Sequence, residues 1–459
     1  MPVFVFFLAY IKRVGQNEHR EPRMIDKDTI TKIDTLKNDI KTLQEALFKL
    51  ETEQFYQNAD QHSASTWIQE DLAFLQRAQA YRSDFNALSG SFFGYPGNLT
   101  TDSPLVSRLR HLEAEMFYIN NAGDPYEQGD SALDGKVFER EVLALFYEKF
   151  GMDEKNSWGY VTSGGSESNT WAIRNGFRKY PNGRLYFCEA AHYSVLKAVT
   201  NGSQTLFPYT VIPQLSIADE RIDQKILIDT VIEHYREDHQ EPILLMTWGT
   251  TKLGSCDQVS DITSSLRKLN IPYYCHVDAA YFGGIPNHQL EAPVCPSLQV
   301  LGADSVSVSF HKFFGVPDIN SVVLSKDKAD GNFVAYLGHR DTTVSGSRTF
   351  SIFSALQRIK EVLHRSPDDF YCRNIRYVES KLVENRLSFF RAPLSSIFVI
   401  PCPSKSFLKK YNLASFEGAS GKITLAHMII NPFHTQNELD VLISDLYDDQ
   451  KHHPHPLDL

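Results

Sequence analysis

A lysine closes an apolar run late in this chain, where Ser305-Val306-Ser307-Val308 leads into Ser309-Phe310-His311-Lys312. The end of a buried strand is a poor place for a solvated ammonium. It suits an amine held near neutrality and used as a nucleophile toward a carbonyl. The segment Tyr273-Tyr274-Cys275-His276-Val277-Asp278-Ala279-Ala280, 34 positions upstream counting from Asp278 to Lys312, puts a carboxylate at the end of another apolar run. A lysine able to form a Schiff base and an acid able to pair with a pyridinium nitrogen are what pyridoxal phosphate asks of a protein. The same two residues would also serve as a buried ion pair in an ordinary α/β core.

Three further segments bear on that choice. Gly159-Tyr160-Val161-Thr162-Ser163-Gly164-Gly165-Ser166-Glu167-Ser168-Asn169 runs from a β-like stretch through a Gly-Gly turn into a helix. Such a turn lets backbone N–H groups, hydroxyls and the positive end of a helix converge on an anion. A plain strand-to-helix turn is the alternative. The Walker lysine and the dinucleotide glycine spacing are both missing, which disfavours a nucleotide. Glu189-Ala190-Ala191-His192-Tyr193-Ser194-Val195-Leu196-Lys197 follows the next strand-like run and offers His192 either as a flat ring over a flat cofactor or as a helix cap. Thr247-Trp248-Gly249-Thr250-Thr251 supplies hydroxyls that could face a ligand or satisfy a turn.

The elements that must position these residues follow from the patterning. Between Gly159 and about Lys326, β-branched runs (Arg184–Phe187, Pro242–Thr247, Ile271–Val277, Ser305–Val308, Ser321–Leu324) alternate with helical stretches. That alternation predicts an open, mainly parallel sheet covered on both faces, with ligands beyond the carboxyl ends of its strands. Beyond Ser345 the texture changes to long helices (Thr349–His364, Tyr371–Ser388), strands at Ser396–Ile400 and Lys422–Asn431, and a last helix at Thr435–Tyr447, as in a smaller α+β domain. Residues 27–56 carry apolar positions at three- and four-residue steps, an amphipathic helix with Asp26 or Thr29 as cap, suited to cover a partner surface. The tail Lys451-His452-His453-Pro454-His455 reads as a disordered end; no metal site is expected.

Bulk properties exclude several classes. The chain has 459 residues, 22% of them charged, and a formal charge of −10, which argues against a nucleic-acid partner. Six cysteines are scattered without a C-x-x-C pair, as expected of free thiols in a reducing cytosol. The apolar run 3–11 is shorter than the ~18 residues of a membrane span, and its positive charges follow it, unlike a secretory signal. A cytoplasmic protein without membrane attachment is expected.

In this order, the phosphate-cradle segment, His192-Tyr193-Ser194, Gly249-Thr250-Thr251, His276-Val277-Asp278-Ala279-Ala280 and Ser309-Phe310-His311-Lys312 resemble the group II PLP-dependent amino-acid decarboxylases. The chain is most similar to the branch of the bacterial PLP-type histidine decarboxylase and the plant serine decarboxylases. Phe92-Phe93-Gly94-Tyr95-Pro96, the stretch 119–125 and Ser345-Gly346-Ser347-Arg348 share the likeness, which covers roughly residues 85–445. The resemblance implies fold type I of the PLP-dependent transferases (aspartate aminotransferase-like), an α/β fold with a mainly parallel seven-stranded sheet, helices on both faces and a smaller C-terminal α+β domain. The implied division is an N-terminal helical, dimer-packing segment (1–90), a large cofactor domain (91–335) and a small domain (336–459). Homodimers with shared active sites are implied as well.

By the same likeness, Lys312 is the Schiff-base lysine, Asp278 the partner of the ring nitrogen and His192 the residue stacked on the ring. Ser163, Gly164, Gly165 and Ser166 form part of the phosphate site, with Ser309 and His311 beside it. Ala280 packs under the ring and Thr251 joins its polar surroundings. Tyr95, His192, Ser345 and Ser347 face the substrate, the two serines on a loop that reaches the neighbouring subunit. The implied reaction is α-decarboxylation of an amino acid to an amine and CO2, histidine being the first candidate. Serine, aromatic and acidic amino acids are alternatives, as is another reaction on the same fold, namely a lyase, aldolase or aminotransferase. Lys312, His192, Tyr336 or His339 could return a proton to Cα. The chain departs from the family pattern at Phe310, at Ser168, at Pro317-Asp318-Ile319 and at Thr349-Phe350-Ser351; Phe310 and Phe350 are expected to add apolar bulk close to the lysine and loop motifs.

Overall fold

The computed structural model describes positions 35, 39, 42, 43, 46, 47 and 50, residues 69–81 except 72, 92–97, 120, 121, 123–127, 135–286, and 297–459 except 317, 329, 336, 337, 345, 346, 365–369 and 432. Contacts gather the chain into two units, Met1–Ala87 and Leu88–Leu459. The described positions from 35 to 50 are helical. The rest of the amphipathic stretch 27–56, its caps Asp26 and Thr29, and the apolar run 3–11 lie outside the described residues.

Seven strands form the main sheet: β1 (Trp158–Thr162), β2 (Arg184–Cys188), β3 (Tyr209–Ile212), β4 (Pro242–Thr247), β5 (Tyr274–Asp278), β6 (Ser305–Ser309) and β7 (Ser321–Ser325). Their order is β1-β7-β6-β5-β4-β2-β3. β7 runs antiparallel to both neighbours, and every other pairing is parallel. Every residue of β1, β4, β5, β6 and β7 is buried. A sheet covered on both faces needs such continuous apolar runs.

Alternation along the strands splits the core in two. Leu185, Phe187, Ile243, Leu245 and Tyr274 meet Ile173 and Phe177 of α2 (Gly165–Lys179) and Val195 and Val199 of α3 (Ser194–Val199). The intervening residues Tyr186, Cys188, Leu244, Met246, Cys275 and Val277 join the larger cluster on the opposite face. There they share a core with Val142 and Phe146 of α1 (Lys136–Lys149), Leu227 and Val231 of α4 (Gln224–Asp238) and Ile262 and Leu266 of α5 (Val259–Lys268). Each such side chain, fully buried, contributes about 1.5–3 kcal/mol. Asp278 shares the parity of Tyr274 and therefore faces α2. β5 begins at Tyr274, not at Ile271, because Pro272 has no N–H to give a ladder.

The C-terminal part holds α6 (Thr349–His364), α7 (Phe370–Glu384), α8 (Lys405–Tyr411), α9 (Gln436–His452) and a three-stranded antiparallel sheet. Its strands are β8 (Ile397–Pro401), β9 (Ala414–Glu417) and β10 (Ile423–Ile429), in the order β8-β10-β9. α7 stops at Glu384, short of Ser388: Arg386 turns to φ +57° and Leu387 N–H bonds back to the Leu382 carbonyl. α9 opens on a capping box in which Thr435 Oγ1 accepts from Glu438 N–H and the Glu438 carboxylate accepts from Thr435 N–H.

Of the tail expected to be disordered, Lys451 and His452 belong to α9 and residues 453–455 are exposed. Beyond it the chain is docked: Asp458 accepts from Ser420 and Thr424, and Leu457 and Leu459 pack with Leu253, Val399 and Leu425. Residues 92–97 attach to the small sheet through Phe93, whose N–H bonds Tyr411 O and whose carbonyl accepts from Ile429 N–H.

Candidate active site

The carboxyl ends of β1, β4, β5 and β6 open on a cavity of about 390 Å3. Ser163, Gly164, Gly165, Ser166, His192, Thr251, Asp278, Ala280, Ser309, His311, Lys312 and Tyr95 all line it. Thus every expected residue except Ser345 and Ser347 comes together at one place. Ser345 lies outside the described residues. Ser347 is described by its backbone, which pairs with Asn121 in a two-residue antiparallel ribbon.

The Gly-Gly turn is shaped by backbone demands. Gly164 adopts φ +144°, where a Cβ is strained, and a Cβ on Gly165 would stand 3.0 Å from Ser309 Oγ. α2 starts there, with the N–H groups of Glu167 and Ser168 bonded to Gly164 O. Among the described bonds none takes the N–H of Gly165 or Ser166, so both remain for an anion at the positive end of a 15-residue helix. Glu167 holds the turn from below: its carboxylate accepts from Ser163 N–H at 2.9 Å, Ser163 Oγ at 2.5 Å and Tyr160 OH at 2.8 Å.

Asp278 accepts from Asn169 Nδ2 at 2.8 Å and from Ala280 N–H at 3.1 Å, so both its oxygens are aimed. Asn169 also donates to Ser194 Oγ at 3.1 Å, and Ser194 Oγ lies 2.8 Å from His192 Nδ1. Burial lowers the Lys312 ammonium below its ordinary range, against the opposing pull of Asp278. His192 is also lowered, first by burial, with Asp278 opposing and Lys312 reinforcing. His311 is pushed down to about 4 by burial and by Lys312.

Asn169, Tyr193, Glu167 and Ile319 line the same cavity without having been assigned roles from sequence, and of the segment 247–251 Thr247, Gly249 and Thr251 line it. Asn169 was findable, because it lies one helical turn beyond Gly165 and Ser166 and so shares their face. Phe310 corrects the expected crowding near the lysine: it is fully buried and stacks on Phe146 with centroids 5.5 Å apart, in the core and not in the cavity lining. Alternation accounts for this, since Ser309 takes the cavity side and its neighbour the other. Ser168 bonds Thr162 and Ser321 hydroxyls, an internal polar stitch. His339 is buried with Nδ1 3.2 Å from Arg340 O and does not line the cavity. Tyr336 and the side chain of Phe350 lie outside the described residues.

Pyridoxal phosphate fits this set of groups. Asn169 Oδ1, Thr247 Oγ1 and His311 Nδ1 are buried polar atoms of the lining with no hydrogen-bond partner among the described residues. Each such atom costs the fold about 1–3 kcal/mol unless a ligand satisfies it. Gly164, Gly165, Ser166 and Ser309 would hold the phosphate, Asp278 the ring nitrogen and Lys312 the aldehyde carbon. Among the described residues no cluster of His, Cys, Asp and Glu is arranged to hold a metal ion. The five described cysteines are free, and no described helix is long and apolar enough to cross a membrane.

A lysine and an aimed carboxylate beside a helix-end anion cradle, at the carboxyl edge of this sheet, define a PLP-dependent enzyme of fold type I. Comparison with known proteins narrows the class. The pyridoxal-dependent decarboxylase conserved domain matches residues 183–360. A histidine decarboxylase of Pseudomonas entomophila (strain L48) is 30% identical over 378 residues, 79% of this chain and 88% of that protein. One of Vibrio campbellii (strain ATCC BAA-1116) is 32% identical over 366 residues, 77% of this chain and 89% of that protein. Among solved structures, L-methionine decarboxylase from Streptomyces sp. 590 superposes with a TM-score of 0.68 at 19% identity, covering 83% of this chain and 96% of that one. A sphingosine-1-phosphate lyase of Burkholderia pseudomallei K96243 does so with a TM-score of 0.63 at 16% identity, covering 84% and 91%. The chain belongs to the pyridoxal-dependent decarboxylase family, in its histidine decarboxylase branch. It is a PLP-dependent carboxy-lyase that decarboxylates an amino acid.

Proposed function

We propose that the substrate is L-histidine, released as its amine and CO2, with Lys312, Asp278 and His192 as the catalytic residues. The observation that carries the reading is the charge of the cavity lining. Among its described residues Lys312 and Asp278 are committed to the cofactor, and Glu167 is tied to Ser163 and Tyr160. An acidic substrate side chain would need a free cation there, and a strongly basic one a free carboxylate; a neutral imidazole needs neither. Two relatives named histidine decarboxylase, similar over more than three quarters of the chain, support the same choice.

Pyridoxal phosphate, when bound, supplies a ring that accepts the electron pair left at Cα as CO2 departs. The chain's part is positional. Asp278, held by Asn169 and Ala280, keeps a negative charge where a ring nitrogen must stay protonated. Lys312, buried and shifted toward the free amine, offers Nζ as nucleophile and afterwards as a site that can hold a proton. Tyr95, half-exposed at the mouth, and His192 orient the substrate. A cytoplasmic homodimer completes the proposal, with Ser345 and Ser347 of each copy reaching the other's site.

A CO2-release screen of the twenty common amino acids with added PLP tests the substrate. Histidine should dominate, and a stronger response to any other amino acid would overturn the choice. Sedimentation of the holoenzyme at twice the chain mass is expected for the dimer.

A further inference from the structure

The polar chain behind His192 has a direction. Asn169 Nδ2 has two hydrogens, one given to Asp278 Oδ2 at 2.8 Å and the other to Ser194 Oγ at 3.1 Å. The reversed amide would set its oxygen against the Asp278 carboxylate, so this orientation is fixed by charge. Ser194 Oγ therefore accepts from Asn169 and has its own hydrogen to give. His192 Nδ1 lies 2.8 Å away, and Ser194 N–H points at the same nitrogen from 3.3 Å. Two donors converge on Nδ1, which must present its lone pair.

We infer that Asn169 and Ser194 are positioning residues that fix His192 as the neutral tautomer with its proton on Nε2, so that His192 serves the reaction as a hydrogen-bond donor and not as the acid that returns a proton to Cα. A second proton on Nδ1 would collide with Ser194 N–H, and losing the one on Nε2 would leave an imidazolate. Neither suits a residue that must gain and lose a proton each turnover. The groups facing the ring from each neighbouring element agree. Asp278 from β5 and Lys312 beyond β6 are the charged ones. Asn169 from α2 and Ser194 from α3 are neutral, and the Tyr193 ring packs at 4.3 Å. The arrangement also makes one amide aim both the acid and, through Ser194, the histidine.

The inference rests on the proposed placement of His192 at the cofactor, but its test needs no substrate. Nitrogen NMR of the full-length holoenzyme labelled with 15N-histidine, assigned by the signal lost in His192→Gln, reads the tautomer directly. An unprotonated Nδ1 and a protonated Nε2 near neutral pH are expected; a proton on Nδ1, or on both nitrogens, overturns the inference. Ser194→Ala keeps the backbone N–H but loses the hydroxyl donor to Nδ1, so it should raise the His192 titration midpoint by about half to one pH unit, with Ser194→Thr restoring it. An unmoved midpoint in Ser194→Ala would also overturn it. If that variant does not fold, the wild-type spectrum still decides. Failure to release CO2 from histidine would leave this reading intact while removing the substrate assignment.

Discussion

Asn169 and Asp278 meet at 2.8 Å across the gap between α2 and β5, so the helix that carries the anion cradle also aims the acid. With PLP held as proposed, its phosphate end and ring end would be registered by one rigid element. Asp278→Ala should leave the phosphate end in place while removing the charge at the ring nitrogen. We expect the variant to retain bound PLP and to lose roughly three orders of magnitude in kcat. Rates near wild type, measured by CO2 release with the cofactor content checked by absorbance, would count against this role.

Lys312→Ala removes the amine while leaving Ser309 and the two glycines untouched. The visible absorption band of lysine-bound cofactor should vanish together with turnover. Surviving turnover would reassign the nucleophile.

Four histidines set an acid limit. His276, His311, His427 and His434 are each pushed down to about 4 by burial. Their pKa is depressed in the folded protein, so the stability they contribute is present above the unfolded value of about 6.5. It is lost as pH falls toward 4, where unfolding takes up protons. Denaturant midpoints should therefore drop steeply between pH 6.5 and 4. The slope is about 1.4 kcal/mol per pH unit for each proton taken up. His276→Gln should lower the uptake by about one proton; an unchanged slope would show that His276 titrates normally.

The docked tail offers a test remote from the chemistry. Leu457 and Leu459 cover Leu253, which lies in the turn carrying Gly249 and Thr251 into the cavity. Deleting Leu457–Leu459 should cost about 2 kcal/mol of stability and weaken PLP binding several-fold. Thermal melts and cofactor titration would reveal either effect, and unchanged PLP affinity would confine the tail to a stabilising role.

Much of this was legible in the amino acids. Lys312 and Asp278 each follow an apolar run, and strand ends are where an open sheet gathers its ligands; the pair alone also allowed a buried ion pair, and the ordered motifs around it decided between the two. The Gly-Gly turn is equally plain, because few residues tolerate φ +144°. Asn169 was harder: its importance depends on which face of α2 turns toward β5, settled by packing of Ile173 and Phe177 further along the helix. Phe310 was misjudged from neighbourhood in sequence, although the two-residue period of β6 already separates it from Ser309. The end of the chain was read from residues 451–455 alone, and the leucines that fix it, Leu457 and Leu459, have partners only in the folded molecule.

β7 runs against its neighbours, and this sets the reach of the lysine segment. Strands β6 and β7 lie side by side with Ser309 opposite Ser321. Residues 310–320 thus leave and re-enter the sheet at the same edge, a bridge with both feet planted. Lengthening that bridge would lift Lys312 off its aim, so new substrates must be accommodated by exchanging side chains such as Ile319 and not by adding chain.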